Sequence, residues 1–308
     1  LVPHPSTSFS SLIYKINVFW RFKGRKLYIL LLVLCFSSMK MTVNEQIKVG
    51  NTCTARVYRE MVRQRVMDTA AVSEICGGSR RARDVMYALT KRGLAIRVHR
   101  GLYAAVPVEY EGKYHEIDRY VIANRAGGTG ALAYHSALEM YGVAQSHFNT
   151  VFYMRDRSLK GFEFQGTLYT FVTTEKLFGI VDVWRGGVKL PVTDRERTFL
   201  DCLRRMDYCG GPEEFLKSVQ TFHMLDFNNL GDHLRKFDER SLYQKTGYIL
   251  SLLKADFKPP EEFMDQLKRK VGRKTYYLMQ RHVPGLGRFI GDWNLIVPKN
   301  IEELMRFV

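Results

Sequence analysis

The amino-acid sequence predicts an α+β protein, and three observations predict it. Between residues 54 and 104, three short stretches with a helical period lead into one that alternates in twos. From 150 to 193, short alternating runs are punctuated by Gly, Asp and Lys, as antiparallel strands joined by turns would be. From 194 to 271 the helical period returns. With 308 residues, 46% apolar and 25% charged, there is room for two domains, and global disorder is excluded.

Residues 1–49 read as an N-terminal extension. Lys15, Arg21, Lys23, Arg25 and Lys26 occur with no acidic residue before the apolar run LYILLLVLCF at 27–36, and Ser37 and Ser38 follow. That is the layout of a secretory signal. Ten apolar residues are too few to cross a bilayer as a helix. Met39 and Met41 offer a start just ahead of the first domain-like sequence. Upstream translation with no part in function is the expectation for 1–38. A signal or membrane anchor, or an extension of another kind, are the alternatives.

The formal charge of +16 becomes +11 when those five cations are taken away. A balance of this kind implies nucleic acid or an anionic membrane as partner. Cys35, Cys53, Cys76, Cys202 and Cys209 form no CxxC pair and show no zinc spacing. They read as small buried thiols of a cytoplasmic protein, and no cofactor or metal is expected.

The first domain is expected over 50–108. TARVYREMVRQRV (54–66) puts Val57, Tyr58, Met61 and Val62 on one stripe. TAAVSEIC (69–76) is a short second helix that Asp68 or Thr69 can cap. Gly77 and Gly78 make a turn, Ser79 is placed as cap of a third helix, and Gly93 stops it. Ala82, Val85, Met86 and Leu89 define its buried face. Ile96 to His99 then alternates apolar and basic, Arg100-Gly101 turns, and Leu102-Tyr103-Ala104 returns. Together these make a winged helix-turn-helix, whose third helix enters the major groove while the hairpin lies along the backbone or minor groove.

From 79 to 101 there are seven Lys and Arg residues against one acid, Asp84. Arg80, Arg81 and Arg83 fall in the first turn of the third helix, where the backbone dipole is already positive. A sequence selected for stability alone would place Asp or Glu there. Phosphates lying across that end reverse the penalty. The DNA-binding residues are therefore assigned as Ser79, Arg80, Arg81, Arg83 and Tyr87 at the groove, with Lys91, Arg97, His99 and Arg100 on phosphates. The plainer alternative is a solvated basic face on a protein-interaction module.

A linker at 109–114 leads to a larger mixed α+β domain over 113–308. It opens with a helix through 115–126, a glycine turn (AGGTG, 126–130) and a short helix at 134–143. The strands fall at 150–155, 162–165, 167–173, 178–184 and 187–193. Helices are expected at 194–206 (capped by Asp194), 212–222, 225–236, 242–254 and 260–271, with a last strand at 293–298. Asp194, Glu196, Asp201, Glu213 and Glu214 are the carboxylates a metal-dependent nuclease would need. On one helix, 194, 196 and 201 point in different directions, so capping and surface pairing are their expected roles. His135-Ser136 and the other histidines show no partner, and no catalytic residue is assigned.

Three segments in this order, KRGLAIRVHRGLYAAVP (91–107), YHSALEMYGV (134–143) and VTDRERTFLDCLRRMDYCGGPEE (192–214), resemble the AbiEi-type antitoxins. These are regulators in type IV toxin–antitoxin, antiviral-defence systems. The resemblance covers about 50–255. Its most specific parts are Arg100 to Tyr103, Ser136 to Gly142, and Arg197, Thr198, Leu200, Asp201, Gly210 and Gly211. It implies a non-enzymatic, cytoplasmic repressor that binds inverted repeats at its own promoter as a monomer or homodimer. It also implies a C-terminal domain that counters a nucleotidyltransferase-like toxin, in several cases without a stable complex. The rivals are a stand-alone winged-helix regulator, a DNA-targeted metal-dependent nuclease, and a regulator tethered through 27–36.

Overall fold

The computed structural model describes residues 52–110, 112–222, 224–279 and 287–305. The expectations for the extension, including the apolar run, Cys35, Met39 and Met41, lie outside these residues. Contacts divide the chain into Leu1–Arg56 and Val57–Val308, and of the first unit only 52–56 are described.

Helix α1 (Cys53–Gln64) ends sooner than its apolar stripe suggests. Arg65 takes a left-handed conformation (φ +65°), and the chain swings into a strand the sequence did not announce, β1 (Val66–Asp68). Asp68 then caps α2 (Thr69–Cys76) by accepting from the Ala71 N–H at 2.7 Å. Gly77 supplies the left-handed residue (φ +71°) that the turn into α3 (Ser79–Lys91) requires. Ser79 is not the cap of α3. Gly78 holds that position, Ser79 is the first helical residue, and no side chain caps the end. Gly93 closes α3 as expected, with the Leu94 N–H returning to the Leu89 carbonyl at 3.0 Å. Strands β2 (Ala95–His99) and β3 (Leu102–Ala105) form the expected hairpin, and β1 pairs with β3 in an antiparallel order β1-β3-β2.

The next helix, α4 (Arg119–Gly127), starts later than position 115, because the Asp118 carboxylate accepts from the Tyr120 and Val121 N–H groups. Then follow β4 (Gly130–Leu132), α5 (His135–Met140), β5 (Thr150–Arg155), β6 (Phe162–Phe164), β7 (Thr167–Thr173), β8 (Ile180–Arg185) and β9 (Val188–Thr193). These strands make one six-stranded sheet, ordered β6-β7-β5-β4-β9-β8. The sequence predicts an antiparallel sheet. Only β4–β5, β6–β7 and β8–β9 are antiparallel, whereas β5–β7 and β4–β9 run parallel. Strand β6 is the cause of the first exception: it occupies the edge and sends β7 back beside β5 in the same direction. Gly130 is needed for its small size, since a Cβ there would fall 2.0 Å from the Met154 carbonyl oxygen.

Helices α6 (Arg195–Arg204), α7 (Pro212–Gln220), α8 (Phe227–Phe237), α9 (Arg240–Leu252), α10 (Lys254–Phe257) and α11 (Glu261–Arg269) follow. Strands β10 (Tyr276–Tyr277), β11 (Gly287–Ile290) and β12 (Leu295–Pro298) form a small third sheet. The fold is thus mixed α+β, with eleven α-helices and three sheets among the described residues. None of these helices is long and apolar enough to cross a membrane.

Two apolar clusters hold it together. The larger gathers Phe199, Phe215, Leu234, Ile249 and Trp293 from the helices and the last sheet segment. The second joins Val66, Val98, Leu102 and Ala104 of the β1-β3-β2 sheet to Tyr120, Val151, Tyr153 and Val192 around the six-stranded sheet. Among the described residues this second cluster draws on both sides of the expected boundary at 108–113.

Candidate nucleic-acid interface

Helix α3 buries Ala82, Val85, Met86 and Leu89, the face its periodicity defines. Ser79, Arg80, Arg81, Arg83, Asp84, Tyr87 and Lys91 are all exposed. Tyr87 is 69% exposed, unusual for a large aromatic ring with no binding partner. The N–H groups of the first turn have no acceptor within the helix, and no side chain supplies one. Arg80, Arg81 and Arg83 therefore stand at a tip that is already electropositive.

The hairpin extends this surface. Arg97 on β2 and Arg100 at the turn are exposed. Among the described residues, Arg80, Arg81, Arg83, Lys91, Arg97 and Arg100 enter no ion pair or side-chain hydrogen bond. His99 differs from its neighbours. Its ring stacks on Phe162 of β6 (centroids 4.6 Å apart, 25° between planes), so one face is packed against the six-stranded sheet. A register shift between Arg97 and His99 accompanies this turn of the ring. Arg65 donates to the Gly186 carbonyl and ties the same sheet to the β8–β9 turn.

The carboxylates of the larger region are engaged elsewhere. Asp194 caps α6 through the Arg197 N–H (2.7 Å) and lies 2.8 Å from His233 Nε2. Burial opposes its ionisation, but hydrogen bonds from His233, Arg197 and Asn229 hold the carboxyl below its ordinary value. Glu196 accepts from the Asp226 N–H (2.8 Å) and from Asn229 (3.0 Å), fastening α8 to α6. Asp201 is fully buried and pairs with Arg197 Nε at 2.7 Å. Burial pushes its carboxyl up against the pull of that guanidinium. The surface pairing expected of the Glu and Arg side chains is thus corrected at Glu196 and Arg197: both lie inside with Asp201, because α6 is covered by the sheet and by α8 and α9. Glu213 pairs with Lys217 at 2.9 Å, and Glu214 accepts from Ser146 Oγ at 2.8 Å. Among the described residues no group of three or more His, Cys, Asp or Glu side chains could hold a metal ion.

Two histidines that showed no partner in sequence have one in space. His233 meets Asp194 across 39 residues of chain. His135 is buried between Glu139 (3.8 Å) and Glu214 (3.4 Å) and stacks on Phe148 at 3.8 Å. Beside it opens a polar cleft of about 770 Å³. Arg119 there bonds Glu139 (2.7 Å) and the Tyr120 hydroxyl (2.9 Å), and Arg185 pairs with Asp118 (2.8 Å). These charges answer one another, so the cleft specifies no ligand charge.

No family model and no curated protein matches the chain. Among solved structures, the crystal structure of the RV2827C protein from Mycobacterium tuberculosis is similar in fold. It shares 13% sequence identity at a TM-score of 0.54, over 82% of this chain and 93% of that one. At that identity the likeness concerns the mixed α+β architecture alone.

Proposed function

We propose that this chain is a sequence-specific DNA-binding transcriptional repressor whose segment 53–105 acts as a winged helix-turn-helix. The observation that carries the reading is that the exposed cations Arg80, Arg81, Arg83, Lys91, Arg97 and Arg100, shared by the tip of α3, its last turn and the β2–β3 hairpin, form no ion pair among the described residues. Cations held for stability find carboxylates. These form no ion pair among the described residues, and the uncapped N–H groups of α3 point the same way. Arg80, Arg81, Arg83 and Tyr87 would read the major groove, while Lys91, Arg97 and Arg100 would lie on phosphates. His99 keeps only an edge for such a contact, its ring face being stacked on Phe162.

The antitoxin role rests on the resemblance to the AbiEi-type proteins. The residues that carry it in the larger region are fold-building ones. Ser136 Oγ accepts the buried Phe152 N–H at 2.9 Å, Arg197 pairs with Asp201, and Thr198 Oγ1 meets Thr193 Oγ1 at 2.7 Å. They support a shared scaffold and supply no chemistry for cutting DNA.

Binding to a duplex from the protein's own upstream region, followed by anisotropy across a salt series, tests the DNA reading. If about six phosphates are neutralised, log K falls against log salt with a slope of about −5. A slope near zero removes the role. Co-expression with a neighbouring nucleotidyltransferase gene tests the antitoxin part, and rescue of growth is the expected result.

A further inference from the structure

A second pocket, of about 330 Å³, lies between the end of β7, the end of α6 and the start of α9. Its polar wall consists of Thr173, Thr174, Ser241, Arg204, Arg205 and Lys245. Three cations line it, Arg204, Arg205 and Lys245, with a single lining carboxylate, Glu239. That carboxylate is already engaged, since Arg204 holds it through two contacts of 3.0 and 2.7 Å. Arg205 is held in the same bidentate way by Asp207, at 3.0 and 2.8 Å. The two guanidiniums are thereby fixed in place.

Lys245 is the exception. It is half-buried on α9, and its ammonium makes no hydrogen bond or ion pair among the described residues. A cation partly withdrawn from water without an ion pair of its own is costly to the fold. Burial pushes Lys245 down to about 8, with Glu239 opposing and Arg204 adding to the effect. A site that accepts this cost is shaped for an anion. Thr174 Oγ1 accepts from the Lys176 N–H at 3.1 Å, so its own hydrogen is left to donate inward.

We propose that this pocket binds the phosphoryl group of a small molecule, with the Lys245 ammonium as its main contact and the Thr173, Thr174 and Ser241 hydroxyls as donors. With Arg204 paired to Glu239 and Arg205 to Asp207, the Lys245 ammonium is the charge left unanswered on this wall, and a phosphoryl group offers it an anionic oxygen while its other oxygens accept from the hydroxyls. The volume suits a small ligand and excludes a duplex. The site is distinct from the α3 surface and does not depend on it.

The experiment is thermal unfolding of the full chain in inorganic phosphate, pyrophosphate or a nucleoside triphosphate, each against chloride at matched ionic strength. The wild type should show a saturable rise in Tm. Lys245→Met should fold at least as well in chloride and lose that rise, while Lys245→Arg keeps part of it. The triple variant Arg80→Gln, Arg81→Gln, Arg83→Gln should keep it in full, which separates this site from the DNA surface. A response to all three anions places recognition in the phosphoryl group, and a response to the nucleotide alone adds the base or sugar. Should Lys245→Met fail to fold, calorimetry on the wild type gives the answer. Affinity should drop at least tenfold between pH 7 and pH 9.5 as Lys245, faced by Glu239, Arg204, Arg205 and Tyr134, loses its proton. No saturable rise in the wild type, an equal rise in Lys245→Met, or a flat pH profile would overturn the proposal.

Discussion

Arginine appears in two opposite settings in this molecule. Arg197 is 1% exposed, bonded to Asp201 and packed between the rings of Phe178 (4.2 Å) and Phe237 (4.3 Å). Arg80, Arg81 and Arg83 stand in water at the start of α3 and touch no acid. The same side chain builds the fold in one place and leaves its charge unanswered in the other. Environment, not residue type, therefore separates a cation that serves the core from one whose charge is left to the solvent or, as proposed, to a partner.

The sharpest way to break this contrast is to remove Asp201. Asp201→Ala leaves Arg197 buried and unpaired, so unfolding in urea should show a loss of about 3–5 kcal/mol. Replacing the pair together, as Arg197→Met with Asp201→Leu, should recover most of that loss. A cost under 1 kcal/mol for Asp201→Ala would mean that the pair contributes little, and the contrast fails on its buried side.

The exposed side is tested by binding. Each of Arg80→Gln, Arg81→Gln and Arg83→Gln that removes a base contact should weaken operator binding by about 1–3 kcal/mol, with specificity relaxed at one position. Arg97→Gln should weaken all sequences alike and reduce the salt slope by about one. Anisotropy with operator and scrambled duplexes separates the two behaviours.

A third test concerns Lys245, which stands between the two settings, being half-buried and unpaired. Its folded-state value, about 8, lies below the ordinary 10.5. The unfolded chain binds more protons between these values, so this residue's penalty is full below pH 8 and disappears as pH rises towards 10.5. Lys245→Met should accordingly stabilise the protein at pH 7 by about 1–2 kcal/mol, after allowance for solvent access. The gap from wild type should close at alkaline pH, as denaturant titrations at both pH values would show.

The smallest effect has the opposite sign from the DNA result. Taking a cation from the tip of α3, as in Arg81→Ala, should raise stability by about 0.3–1 kcal/mol while lowering DNA affinity. A residue that is better for the fold when absent is held for another purpose. If both quantities fall together, Arg81 has a structural role that its exposure does not reveal.

Much of the first region could be read from the chain because its signals are local. The stripe of Ala82, Val85, Met86 and Leu89, the stop at Gly93 and the alternation of Ile96 to His99 each lie within a dozen residues. Strand β1 could not be read, because three residues are too few to show a period and its pairing with Leu102 to Ala104 depends on distant chain. The same holds for β4 and for the parallel pairs β5–β7 and β4–β9. The exposed cations were visible as a charge cluster. That none of them forms an ion pair became visible only in three dimensions. Lys245 and His233 escaped notice because their surroundings come from residues far off in sequence, Thr173 and Arg204 for one, Asp194 for the other.

The apolar cluster shared by the β1-β3-β2 sheet and the six-stranded sheet, with the His99–Phe162 stack, fastens the mount of the arginine tip to the larger sheet. If the tip reads DNA as proposed, a reader mounted in this way does not readily follow its target. One base pair inserted between two half-sites turns them against each other by about 35°. A chain with a hinge absorbs such a twist. In the proposed repressor, bound as a homodimer, the twist would fall on the duplex itself, so spacer length, and not only the letters at each half-site, would become part of what is recognised.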